Sequence, residues 1–137
     1  MAGGATALGA QIILNYFLRG VAPSIPSTVY MRLLTTPSTK TSSGNETVYG
    51  SYARLAMVRG VLLFTNPLLT SQSTNVSPII YPAPSSLDDD LVAWDWVNTA
   101  SGAFTETYLF GAIRPSRSIV VGTKPLKFPS GVMVVTA

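Results

Sequence analysis

The chain has 137 residues, no cysteine and no histidine, and only 11% of it is charged. The length suits one domain, 1–137; without cysteine there is no disulfide framework, thiolate nucleophile or cysteine zinc site, and without histidine the commonest general base and metal ligand is gone. Nine Lys and Arg against six Asp and Glu leave a sparse formal charge of +3, while an apolar share of 47% excludes a disordered polar chain.

One helix is expected at the start, with 1–20 forming a helix or arm. Leu8, Ile12, Ile13, Tyr16 and Phe17 recur on one face, with Ala5, Ala7 and Ala10 between them. Thr6 or a residue just before it suits the N-cap. Gly20 suits the left-handed position that closes a helix, and Pro23 follows. The stripe is expected to dock on a sheet; the rival reading is an arm that orders on a neighbouring subunit.

Strand signals then dominate. Thr28 to Leu34 alternates, with Val29, Met31 and Leu33 on one face and Tyr30 and Arg32 on the other. Thr35 to Gly50 reads as a long polar loop. Tyr52 to Val58 and Gly60 to Phe64 form a second β-like region, interrupted at Asn66-Pro67, and Thr70 to Asn75 is again polar loop. Val76 to Tyr81 contains Pro78, so it reads as an edge strand or extended segment. Leu91 to Val97 alternates, placing Val92, Trp94 and Trp96 on one face and Ala93 and Asp95 on the other. Thr105 to Ile113 pairs back on it as a hairpin, and Pro115 is expected to break that strand. Ser118 to Val121, Leu126 to Phe128 and Val132 to Thr136 complete the set. The expected fold is mainly β: a jelly-roll-like sandwich of about eight short antiparallel strands with one short N-terminal helix.

Few constellations carry chemistry. Asp88-Asp89-Asp90 lacks the spacing of a calcium loop and reads as solvated. Asp95 and Glu106 lie on the two arms of the hairpin and are the only candidate carboxylate pair, yet Asp95 reads as a surface or edge residue. No serine stands at Ser-x-x-Lys spacing before Lys124 or Lys127, and no phosphate-cradling loop is present. Catalysis, a metal and a cofactor are therefore not expected. Trp94 and Trp96 could form a sugar platform, though two same-face tryptophans more often serve a core or a subunit contact. The cations form no tight run, which argues against nucleic acid. No segment reaches the length of a membrane span, and the mildly apolar N-terminus lacks the basic n-region expected of a secretory signal. The sequons at Asn45 and Asn75 then read as coincidences.

Several pieces in fixed order carry a family likeness. They are Val29-Tyr30-Met31-Arg32-Leu33-Leu34-Thr35-Thr36-Pro37, then Gly50-Ser51-Tyr52-Ala53-Arg54, then Leu109-Phe110-Gly111-Ala112-Ile113. The last is Phe128-Pro129-Ser130-Gly131 with the β-branched strand after it. Together they resemble small structural proteins of tailed bacteriophages, of the capsid cement or head-decoration group, also called tail-fibre-like. Ser51 is inserted relative to that pattern, and Asp95-Trp96 replaces more aliphatic residues. The resemblance implies a cement protein on the capsid exterior, assembled in the bacterial cytoplasm. Its implied partners are the major capsid protein and copies of itself, as homodimer or homotrimer. The alternative it implies is a tail-fibre or receptor-binding module for host-surface carbohydrate. Arg114, Arg117, Lys124 and Lys127, with Trp94 and Trp96, are the candidate capsid or subunit contacts.

Overall fold

The computed structural model describes residues 3–60, 64 and 72–136. Its elements are β1 (Gly3–Ala5), α1 (Ala7–Arg19), β2 (Thr28–Leu34), β3 (Leu55–Val58) and β4 (Gln72–Thr74). They continue with β5 (Ile79–Tyr81), β6 (Leu91–Val97), β7 (Thr107–Arg117), β8 (Leu126–Phe128) and β9 (Met133–Thr136). Seven strands form one antiparallel sheet in the order β3-β2-β6-β7-β9-β4, with β1 also on β7; β5 and β8 pair separately. The fold is mainly β and sandwich-like, with one short helix, as the alternation predicts.

The hairpin of β6 and β7 and the neighbouring β2 make the centre. Register sets Leu33 beside Trp94, Met31 beside Trp96 and Arg32 beside Asp95. Val29, Met31, Leu33, Trp94 and Trp96 pack into the core with Tyr81, Leu91, Phe128 and Met133. The opposite faces are also covered, since Leu34, Ala93 and Val97 are buried. Gly111 allows this packing: a Cβ there would stand 2.5 Å from the Trp94 ring.

The caps of α1 follow the sequence. Thr6 Oγ1 accepts from Gly9 N at 3.1 Å, and Gly20 closes the helix at φ 65°. The same threonine hydroxyl lies 3.1 Å from Tyr108 O, which ties the helix start to β7. Gly9 brings the helix close, because a Cβ there would collide with the Tyr108 carbonyl.

Five local expectations are corrected. The stripe of α1 does not dock whole: Leu8 and Ile12 pack against the core, but Ile13, Tyr16 and Phe17 are exposed. Gly3–Ala5 is a strand, held against Leu109 to Gly111 of β7; a short glycine-rich piece carries no alternation to reveal it. The polar segment before Asn75 contributes β4, because β9 offers it a ladder. Pro115 does not end β7, which runs on to Arg117. Ser118 to Val121 forms no strand, and Val120 and Val121 lie exposed. Most of the segment from Val61 to Pro67, where the second β-like region and its break were expected, lies outside the described residues.

Candidate functional site

The densest polar cluster is internal. Arg32 Nε donates to Asp95 Oδ1 at 2.7 Å, and Nη2 donates to Oδ2, which completes a bidentate pair. Ser38 Oγ donates to the same Oδ2 at 2.7 Å, and Ser43 Oγ accepts from Arg32 at 2.8 Å. The guanidinium lies 4.2 Å from the Phe104 ring centre. Asp95 is wholly buried and Arg32 is 3% exposed, so the carboxylate expected at a surface or edge is instead closed in a buried pair. Both belong to alternating strands that would show a polar face to water, but the loop after β2 folds over that face. The pair therefore pins the loop to the sheet.

Glu46 and Arg54 extend the pinning. Arg54 Nε and Nη2 donate to the two Glu46 oxygens at 2.9 Å each, and Tyr52 OH donates to Oε1 at 2.8 Å. Burial alone would raise the Glu46 pKa, but the bonds from Arg54 and Tyr52 and the nearby cations bring it below its ordinary 4.5. A carboxyl held low binds fewer protons folded than unfolded. Its stabilisation is thus complete above about pH 4.5 and is lost as pH falls through the folded value. Asp88 adds to the same acid window. Backbone and hydroxyl donors from Val48 and Thr47 hold it below 3.8. Urea midpoints should fall with acid below that range, and Glu46→Gln should flatten part of the fall. An equal slope in both proteins would count against it.

The candidate carboxylates are not assembled for catalysis. Asp95 is occupied by Arg32 and Ser38, while exposed Glu106 accepts from the Tyr108 hydroxyl. Among the described residues no group of three His, Cys, Asp or Glu is placed to hold a metal ion. No described helix is long and apolar enough to cross a membrane.

Trp94 is fully buried and Trp96 is 8% exposed. Their rings lie 6.1 Å apart and both contact Phe64, at 5.5 and 5.7 Å. The protomer therefore turns neither ring outward as a sugar platform. Same-face spacing in β6 cannot distinguish an outer face from an inner one when both are covered.

The candidate cations divide. Arg117 and Lys124 line one open groove of about 530 Å³, walled by Pro84, Val120, Val121 and Leu126. Arg117 Nη1 donates to Lys127 O at 2.7 Å, and its guanidinium lies 5.8 Å from the Phe128 ring centre. Lys127 is exposed on β8 opposite Ile80, and Arg114 is exposed on β7 outside the groove lining. The other surface, which sequence reasoning missed, is the outward side of α1. Leu14 is 56%, Phe17 76% and Leu18 77% exposed. The signal was present: the apolar residues of α1 occupy more than one face, and one sheet covers only one.

The described residues thus form a small antiparallel β-protein with a buried charge pair and an exposed apolar helix face. The profile of a family described as Podophage GP4 fiber I protein gp80 matches residues 4–136, and the chain belongs to that family. It is accordingly a bacteriophage virion structural protein of fibre type. No curated protein matches the chain. The head-decoration half of the resemblance receives no support from this family, whereas its tail-fibre half does.

Proposed function

We propose that the chain is a component of a podophage tail fibre and that its Arg117–Lys124 groove binds acidic carbohydrate on the host surface. The family match across residues 4–136 carries the fibre reading. The groove supports the ligand class: two cations stand beside apolar walls in an open concavity, which suits a ring with a carboxylate or phosphate. Capsid cement, with the major capsid protein as partner and the outer head as location, draws less support from that match. Antibody labelling of intact particles separates the two: gold on the tail is expected, and gold spread over the head overturns the fibre reading. The purified chain should also slow adsorption of the phage. Lys124→Glu, at an exposed position, should compete ~10-fold less well, as expected for losing one charge-assisted contact. Equal competition by the folded variant would remove the groove from the proposal.

A further inference from the structure

We propose that the outward face of α1 is a self-association seam that packs against a second copy of this chain. The inference stands whether the chain sits on a fibre or elsewhere in the virion. A surface helix normally turns its polar residues away from its own sheet. Here the far side is apolar as well. Gly9 is buried, and Leu8 and Ile12 pack on the core. Ala10, Leu14, Phe17 and Leu18 run along the far side, with Leu14, Phe17 and Leu18 exposed, and Val21, just past the Gly20 cap, is exposed beside them. The steps from 10 to 14 and from 14 to 17 or 18 are three or four residues, the spacing of a helix-to-helix seam.

The area is sufficient. Ile13, Leu14, Phe17, Leu18 and Val21 are between 47% and 77% exposed. Side chains of this size leave on the order of 500 Å² of apolar surface per copy, at the upper end of what monomers tolerate. Two copies would hide on the order of 1,000 Å², where specific interfaces begin. The charges select the occupant. Arg19 is the sole charged residue of α1, and it donates to Asn15 at 3.3 Å. The seam thus offers nothing to a charged partner, and it lacks the basic flank by which an interfacial helix holds a lipid surface. A copy of itself meets it without like-charge repulsion, as an isologous contact requires.

Sedimentation velocity on the purified chain tests this. The wild type should show a mass of two or more chains as concentration rises. Leu14→Glu with Leu18→Glu should weaken association by ~100-fold or more, the loss of two central contacts. Far-UV circular dichroism should stay unchanged, since both side chains point away from the core. Absence of native cysteine gives a second readout. Phe17→Cys should cross-link between chains under mild oxidation, whereas Val58→Cys, 70% exposed on β3, should not. A monomeric wild type, an oligomer indifferent to the paired Glu substitutions, or equal cross-linking at both positions would overturn the proposal.

Discussion

Asp95→Ala should lower the stability of the chain by ~3–5 kcal/mol, the loss seen when one member of a buried pair is removed. The reason is the group left behind. A guanidinium is left without its carboxylate, and at 3% exposure Arg32 cannot reach water. It would keep Ser43 and a distant Glu46, 3.8 Å away, but lose both bonds to the carboxylate. Ser38, also buried, would lose its acceptor and with it one anchor of the loop. Against a total stability of about 5–15 kcal/mol for a domain, this is a large fraction. The double change Arg32→Met with Asp95→Leu should recover most of the loss, because two apolar side chains carry no desolvation penalty. Urea unfolding of the three proteins decides it. A loss under ~1 kcal/mol for Asp95→Ala would mean that the pair is exposed to solvent.

Trp94→Ala should cost a similar ~3–5 kcal/mol, through the cavity left at the centre of the sheet. Its ring fills the space opposite Gly111, and a single methyl group at that glycine would already meet it. The indole Nε1 nevertheless has no hydrogen-bond partner among the described residues. Trp94→Phe therefore trades lost volume for relief of a buried donor, whose burial costs ~1–3 kcal/mol. It should be nearly neutral beside the alanine variant. Thermal melts distinguish the pair; comparable losses from both substitutions would show that the indole nitrogen is satisfied. Host adsorption should be insensitive to Trp94→Phe, because the ring is fully buried.

The parts of the fold legible in the sequence are those with local signals. The caps of α1, the alternation in β2 and the hairpin of β6 and β7 all rest on residues within one element. What escaped depends on distant partners. Gly3–Ala5 becomes a strand only because β7 offers an edge, and Gln72–Thr74 only because β9 does. The chemistry of Arg32 and Asp95 was read from type alone, which assigns charges to the surface. Their register across β2 and β6, and the loop that covers them, are set by the whole sheet. The apolar outer side of α1 was readable in part. Leu14 and Leu18 stand off the chosen stripe, and a count of apolar faces would have shown one too many. The groove at Arg117 and Lys124 was only half legible: the local density of cations was visible, but not which of the four share one concavity.

The place of β7 in the sheet has a consequence for biosynthesis. One edge of this strand receives β1 at Leu109 to Gly111 and β9 at Ala112 and Ile113. β1 and β9 thus meet on a single strand, and among the described residues β4 joins the sheet through β9. A ribosome that has released everything up to β8 has therefore made a chain whose sheet is still open on that side. Open edges invite pairing with other chains, and contacts this distant in sequence form slowly. Chains that stop before β9 should thus be the most aggregation-prone and protease-sensitive forms, because β9 shields that edge once it is made.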